Sequence, residues 1–441
     1  MSLASIRLAL LVALAAASVL SVFASQLVLA AASLLLLGLC ASGRLSFPRT
    51  PIDVPIVALV VWSLLSASFA VDPGNAHEHA KKLLLFAVFY VAVAGINDDA
   101  SREKVATGLV LSGLALSALM VMEAVFLGQS DLEHRPRGFL GHYMTAAGLV
   151  MTTLLVAIAR LAFGSRPERP RLSDLLPIGA VLTAVTGLVL ARHFELAPVL
   201  AMRVAVVVVI VTAIVVALRQ RAAASLVTTA SLLLLPLGTL ALVVSRTRNA
   251  WLGALAGVSL VAFLKAPRLL AFVGVGVVAL LVVQPAAIRD RLTVTDASSR
   301  DRYYMWQAGV DMILERPVFG QGPGMVEYNY SKYRWAEAPN ARAPHLHNNA
   351  IQIAAERGLP GLVFFLWWVI AIPIAAWREF RASRRGSPAF AWPAAAALAV
   401  VGALLVAGLF EYNLGDSEVV MTALIVCSFP YTVRRERLLP A

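Results

Sequence analysis

The sequence predicts an all-α protein: a polytopic integral membrane bundle of roughly twelve to fourteen transmembrane helices, with one long loop region containing short helices. Three observations predict it. Of 441 residues, 60% are hydrophobic and 14% charged, against about 25% charged in an ordinary soluble domain. The mean hydropathy is +0.80, which excludes one large soluble domain and equally excludes disorder. The apolar runs are continuous, as in the stretch beginning at Leu8, whereas the strands of a membrane barrel alternate at every second residue.

A crossing helix needs about 20 apolar residues. Apolar segments lie near 3–23, 25–42, 53–71, 80–96, 105–128, 142–163, 175–192, 197–218, 224–244, 250–265, 268–287, 359–377, 390–410 and 417–432. The short ones at 53–71, 80–96 and 250–265 can tilt, bend or re-enter, which lowers the count of full crossings. Residues 3–23 and 25–42 read as an uncleaved helical hairpin in preference to a signal peptide. One integrated membrane domain results: N-terminal transmembrane helices over 1–287, a loop region over 288–346 and C-terminal transmembrane helices over 347–441.

The net charge of +12 would point to nucleic acid in a soluble protein. Here it reads as the Lys/Arg excess of cytoplasmic loops, with membrane lipids as partners and no nucleic acid. One alternating set of connections carries Arg44 and Arg49; Arg102 and Lys104; Arg166, Arg169 and Arg171; Arg219 and Arg221; Lys265 and Arg268; and Arg378, Arg381, Arg384 and Arg385, with Arg434, Arg435 and Arg437 in the tail. That set is expected in the cytoplasm together with both termini, and the opposite set outside. Arginines also occur on the outer set, against this rule: Arg135 and Arg137 in 129–141, and Arg246 and Arg248 in 245–249. Snorkelling to lipid phosphates is the plain reading of such residues; a shared anionic ligand is the other.

The long outer stretch, 288–346, holds Arg289, Arg291, Arg300, Arg302, Arg316, Lys332, Arg334 and Arg342. It also holds Tyr303, Tyr304, Tyr328, Tyr330 and Tyr333, which with Trp335 suit a layer lying at the bilayer interface. Arg302, Trp306, Gly309 and Ile313 share one helical face. Arg316-Pro317 ends that helix, and the glycines at 320, 322 and 324 force a turn. His345 and His347 close the stretch, followed by the helix-starting Asn348 and Asn349. A histidine at a membrane boundary can act as a general base.

Metal chemistry is not expected. His345 and His347 offer two ligands, but no His, Cys or carboxylate set completes them. Asp98-Asp99 falls in a cytoplasmic loop. Glu411, Asp416 and Glu418 are a weaker candidate cation site, and no carboxylate nucleophile is evident near the histidines. Cys40 and Cys427 lie in apolar runs, and no phosphate-cradling Gly-Lys-Ser/Thr loop occurs. What remains is outer arginines and a histidine. Guanidinium groups pair bidentately with phosphate oxygens and stay charged. Several could hold a pyrophosphate and stabilise the charge that grows on it as it leaves.

At these residues the sequence resembles the O-antigen ligase and O-antigen polymerase superfamily. Thr247-Arg248-Asn249-Ala250-Trp251-Leu252-Gly253 resembles its Arg-x-x-x-Leu segment. Arg302 to Trp306, continued through Pro317 to Gly324, resembles its Arg-x-x-x-Trp helix and Gly-x-Gly turn. His347-Asn348-Asn349 with Glu356, Gly358 and Gly361 resembles its His-Asn block, and Arg135-Pro136-Arg137-Gly138-Phe139 an earlier Arg-x-x-Gly-x-Phe element. The resemblance implies a periplasmic site in the bacterial inner membrane, without ATP, cofactor or essential metal. It implies a glycan donor on undecaprenyl pyrophosphate and, for a ligase, a lipid A–core sugar as acceptor. A polymerase would use a second lipid-linked donor in its place. By this likeness His347, Arg248 and Arg302 are the catalytic candidates. Arg135, Arg137, Arg246, His345, Asn348 and Arg342 are the substrate-binding ones. Whether Arg246 or Arg248 faces the donor, and whether His345 competes with His347, stays open. A lipid-linked sugar transporter is the rival reading, weakened by the absence of an obvious inverted repeat.

The arrangement is testable. With single cysteines at Arg248→Cys and Arg385→Cys, membrane-impermeant thiol labelling should mark opposite sides of the membrane. Labelling of both from one side would overturn the orientation and the outer site together.

Overall fold

A computed structural model describes residues 2–164, 172–219, 223–283, 297–385 and 391–438. Arg166, Arg169, Arg171, Arg221, Arg289 and Arg291 lie outside the described residues. Helices α1 (Leu3–Leu20) and α2 (Val22–Ala41) form a hairpin in which Ser21 caps α2, its hydroxyl accepting from the Ala24 amide at 3.3 Å. α3 (Asp53–Ser68) leads to α4 (Pro73–Ala80) and α5 (Ala87–Gly95), which are joined by a 3-10 segment at Lys81–Phe86. The short segment at 80–96, expected to tilt, bend or re-enter, is indeed not one straight apolar helix, because the tighter 3-10 turn interrupts it.

α6 (Asp99–Phe126) starts with a reciprocal cap. Asp98 accepts from the Ser101 amide at 2.7 Å, and Ser101 Oγ accepts from the Asp98 amide at 3.0 Å. Most of α6 is buried, and it packs against α1 and against α7 (Tyr143–Phe163), α8 (Leu172–His193), α9 (Pro198–Leu218) and α10 (Ala223–Val244). α11 (Arg248–Lys265) and α12 (Leu269–Val283) follow, then α13 (Ala297–Glu315) and α14 (Met325–Tyr333) within the loop region. α15 (Asn349–Arg385), α16 (Ala391–Ala407) and α17 (Ser417–Leu438) complete the bundle. No strand occurs among the described residues.

Eight of these helices, α1, α2, α6–α10 and α15, are long and apolar enough to cross a membrane, and α3, α12, α16 and the apolar part of α17 are shorter apolar helices. The chain is a polytopic helical membrane protein. On α9 the outward Val204, Val207 and Val211 are exposed, an apolar face that suits lipid.

Close packing fixes the helices that carry the site. Gly253 and Gly257 on α11 are four residues apart and face α16. A Cβ at these positions would lie 2.8 Å from the Ala403 carbonyl and 3.1 Å from the Ala399 carbonyl. Small residues at this spacing let two backbones approach closely without a hydrophobic drive between helices. The first turn of α11, with Arg248, is thereby held beside the α16–α17 connection.

The bundle has two chemically different ends. At one, Lys265 donates to the Ala162 carbonyl at 2.5 Å and Arg384 to the Leu264 carbonyl at 3.0 Å. At the same end Arg160 pairs with Glu103 at 2.6 Å. The other end gathers the α6–α7, α10–α11 and α16–α17 connections with the loop region. The described arginines of the two sets distinguished in the sequence therefore sit at opposite ends.

The loop region has its own small core of Met305, Ala308, Met312, Val326, Tyr330, Ala343 and Leu346. Tyr330 is 0% exposed, so the expected interfacial layer of tyrosines does not include it: its ring fills the space between α13 and α14. Leu346 is also fully buried there, and its amide donates to Gln352 Oε1 at 2.7 Å. Anchoring Leu346 fixes the flanking His345 and His347.

α15 is broken at Gly358, whose backbone is non-helical at φ 69° and ψ 178°. The break frees carbonyls that the 317–322 turn uses. Gln321 N donates to Ala355 O and Gly322 N to Glu356 O, both at 2.8 Å, and Leu359 N donates to Pro317 O at 2.8 Å. From α3, Trp62 Nε1 donates to Arg357 O at 2.8 Å and Ser66 Oγ to Phe319 O at 2.7 Å. Gly358→Ala adds a left-handed backbone penalty of about 1–3 kcal/mol and drives Cβ into the Val318 carbonyl. Thermal unfolding in detergent should show a clear loss of stability. A variant as stable as the parent would mean that the break is not a structural requirement.

Candidate active site

The site is built from four connections at one end of the bundle. A cavity of about 410 Å³ is lined by Arg135 from the α6–α7 loop, Tyr143 and Met144 from the start of α7, and Thr247, Arg248, Asn249 and Leu252 around the start of α11. Ser298, Ser299, Arg302 and Trp306 of α13 and Phe410 after α16 complete it. Three guanidinium groups from three separate elements thus meet in a chamber otherwise rich in apolar and aromatic side chains, and among the described residues no carboxylate lines it.

Each arginine is placed by its surroundings. Arg135 stacks over Tyr143, 4.3 Å from the ring centroid, and its Nε donates to the Leu132 carbonyl at 3.1 Å. Its loop is clamped from beneath. Buried Glu123 accepts from the Arg137 and Gly138 amides at 3.0 and 2.8 Å, and Arg192 pairs with that carboxylate while also donating to the Gly138 carbonyl at 3.1 Å. Arg248 donates to Ser299 Oγ at 3.0 Å, which ties α11 to α13. Arg302 lies 3.9 Å from Glu411.

Glu411 is the residue that sequence reasoning undervalued. It is 5% exposed and receives His347 Nδ1 on Oε2 at 2.8 Å, with His345 Nε2 at 3.5 Å from Oε1. A carboxylate does lie beside the histidines, contrary to the expectation. It comes from 64 residues further along the chain, across α15 and α16, which spacing cannot show. Burial alone would raise the Glu411 carboxyl. The hydrogen bond from His347 and the Arg302 guanidinium 3.9 Å away offset it and hold the group below the usual range. Burial pushes His345 down to about 4, so it is neutral near pH 7. Since an ionised carboxylate only accepts, His347 presents Nδ1–H to Glu411, so that in the neutral ring the lone pair lies on Nε2.

Backbone strain marks the same place. Arg246 and His347 are two of four non-glycine residues with positive φ among the described residues, at 51° and 49°, a conformation that side chains other than glycine adopt only where the surroundings hold them. Asn348 caps α15, accepting from the Ile351 amide at 3.0 Å, and donates to the Leu409 carbonyl at 3.0 Å. Asn349 donates to Asn413 Oδ1 at 2.8 Å. These bonds lock the His-Asn block to the α16–α17 connection.

Of the residues singled out in the sequence, Arg135, Arg248 and Arg302 share the cavity, and His345 and His347 share Glu411. Arg137 and Arg342 are exposed, and Arg137, Arg246 and Arg342 are not among the cavity's lining residues. Of the pair left open, Arg248 lines the cavity, while Arg246 shapes the strained turn before it.

His345, His347 and Glu411 also offer three ligand atoms within 4.8 Å of one another, the kind of set that can hold a metal ion. Two nitrogen or oxygen ligands on one tetrahedral zinc sit about 3.3 Å apart, given bonds of about 2.0–2.1 Å. The 3.5 Å His345–Glu411 separation fits that figure, whereas the 2.8 Å His347–Glu411 separation is that of a direct hydrogen bond. His347 would have to move to admit an ion. Glu418 does not join this group.

Residues 230–366 match the family model described as O-antigen ligase. Proteins named "putative polysaccharide ligase" from Rickettsia conorii and Rickettsia felis are 28% identical to this chain over 93 residues, and one from Rickettsia bellii is 29% identical over the same length. Each match covers 19% of this chain and 22% of the relative, so the chain spans about a fifth of the length of the curated relatives it matches. The matched family segment contains Arg248, Arg302 and His347. Across residues 230–366 this polytopic membrane protein is therefore similar to the O-antigen ligase family.

Proposed function

We propose that the protein is a membrane glycosyltransferase of the ligase type. It moves a glycan from undecaprenyl pyrophosphate to a sugar of lipid A–core at the periplasmic face of the bacterial inner membrane. The observation that carries this reading is the convergence of Arg135, Arg248 and Arg302 on one largely apolar cavity. A pyrophosphate attached to a long lipid needs both features: cationic forks for its oxygens and an apolar wall for the first isoprene units.

In the proposed reaction an acceptor hydroxyl attacks the anomeric carbon of the donor. A new carbon–oxygen bond forms there as the bond to the pyrophosphate oxygen breaks. The hydroxyl proton passes to His347 Nε2, and undecaprenyl pyrophosphate leaves with the electron pair. The arginines stabilise the charge that develops on it. Glu411 stabilises the imidazolium that forms and holds the tautomer beforehand. A single displacement inverts the anomeric centre. No step requires a metal or ATP.

The test is reconstitution. Purified protein in detergent, mixed with lipid-linked glycan and lipid A–core, should yield the joined product, and EDTA should leave the rate unchanged. Extension of the lipid-linked glycan in place of transfer to lipid A–core would favour a polymerase. Loss of activity in chelator with recovery on adding a divalent metal would promote the His345–His347–Glu411 group to a metal centre. Arg248→Lys keeps the charge but loses the fork, and it and Arg302→Ala should each lower turnover by about 10²- to 10³-fold, by analogy with loss of one oxyanion donor. Near-normal turnover in both would place the pyrophosphate elsewhere.

His347→Ala should preserve folded yield and donor binding while lowering turnover by about 10²- to 10⁴-fold. Glu411→Gln should lower it by about 10- to 100-fold, the usual effect of losing a group that orients another. His345, pushed down to about 4, stays neutral between pH 5 and 8. His345→Gln should therefore leave the shape of the pH–rate profile over that range as in the parent. A dead His345 variant beside an active His347 variant would reverse the assignment.

A further inference from the structure

A second chamber lies behind the site. Its volume is about 210 Å³, and its walls include His79, Lys82, Glu327, His345, Tyr412 and Asp416. Three consecutive residues divide the two chambers: Phe410 lines the first, Tyr412 lines the second, and Glu411 stands between them. The partition is one side chain thick, since Arg302 on the first chamber and His345 on the second both lie within 4 Å of Glu411, at 3.9 and 3.5 Å.

The chemistry of the two chambers differs. Among the described residues, three arginines and no carboxylate line the first. In the second, Arg357 is bonded to Glu356 at 2.6 Å and Lys82 donates to the Gly415 carbonyl at 3.0 Å. Its two remaining carboxylates are Glu327, which is exposed, and Asp416, which accepts from Thr145 at 2.7 Å. With three carboxyl groups, Glu327, Glu356 and Asp416, against the two cations Lys82 and Arg357 on its wall, this chamber does not select an anion. It accepts hydroxyl donors. Its size is below the roughly 300–1,000 Å³ of pockets that enclose drug-sized ligands, which suits a single ring better than a lipid tail.

We infer that this second chamber binds the hydroxyl-rich ring of the acceptor sugar, with Glu327 and Asp416 as its hydrogen-bond acceptors and the Glu411 partition separating it from the donor's pyrophosphate. The inference rests on the glycosyltransferase reading and deepens it. It places the acceptor's ring and the donor's pyrophosphate on opposite sides of one carboxylate–histidine pair. The donor's own first sugar has the same chemistry and is the competing source.

Binding measurements on the full-length protein in detergent separate these sources. The probes are undecaprenyl pyrophosphate, the glycan-bearing donor and a dephosphorylated core oligosaccharide, each titrated calorimetrically into the parent, Glu327→Gln and Asp416→Asn. The inference predicts that the parent binds the oligosaccharide and that each variant weakens this by about tenfold, the effect of losing one charged hydrogen bond. Affinity for undecaprenyl pyrophosphate should be retained, which also shows the variants to be folded. In turnover, KM for acceptor should rise while KM for donor stays. Three results would overturn the inference: no oligosaccharide binding by the parent, unchanged binding in both variants, or weaker binding of the glycan-bearing donor instead. None of these touches the transferase reading, which falls only if the parent fails to bind undecaprenyl pyrophosphate or to form product.

Discussion

The arrangement depends on a buried carboxylate that a hydrogen bond from one histidine and the charge of an arginine keep ionised. Glu411 is an expensive group to bury alone. The 2.8 Å bond from His347 and the approach of His345 and Arg302 make its burial tolerable. In return Glu411 fixes which nitrogen of His347 carries the proton, and it forms the wall between the two chambers. Removing it would leave His347 free to rotate and would join a cationic chamber to one that is not.

The rest of the fold holds this one contact in register. Glu411 sits on the short connection between α16 and α17, and His347 on the segment leading into α15. The Asn348–Leu409 and Asn349–Asn413 bonds fasten these two segments. Leu346, buried in the loop-region core, sets the depth of both histidines. The glycine contacts of α11 on α16 bring Arg248 alongside, and the Glu123–Arg192 clamp carries Arg135 in from the far side. Four helix connections, each with its own local reason for its shape, thus meet at one carboxylate.

Much of this was legible in the sequence. Continuous apolar runs predicted the helical bundle, and charge asymmetry between loops sorted the arginines into two sets whose described members occupy its two ends. The Arg302–Trp306 face and the Arg316-Pro317 stop predicted α13, and the glycines after it predicted the turn that docks on the broken α15. What stayed hidden was pairing across distance. Glu411 and the Glu123–Arg192 clamp find their partners through tertiary packing, and no local pattern encodes that. The burial of Tyr330 was hidden for the same reason, since composition reports polarity but not which neighbour will cover it, whereas the interruption at 81–86 falls in a segment whose shortness already pointed to a bend.

Nitrogen-15 NMR of histidine-labelled protein, with His347 assigned by comparison with His347→Gln, tests the central interaction most directly. The account predicts that near neutral pH the neutral ring of His347 carries its proton on Nδ1 with Nε2 unprotonated, that Glu411→Gln abolishes this preference, and that chelator changes neither spectrum. The opposite tautomer, or a His347 signal that shifts on adding EDTA, would contradict it.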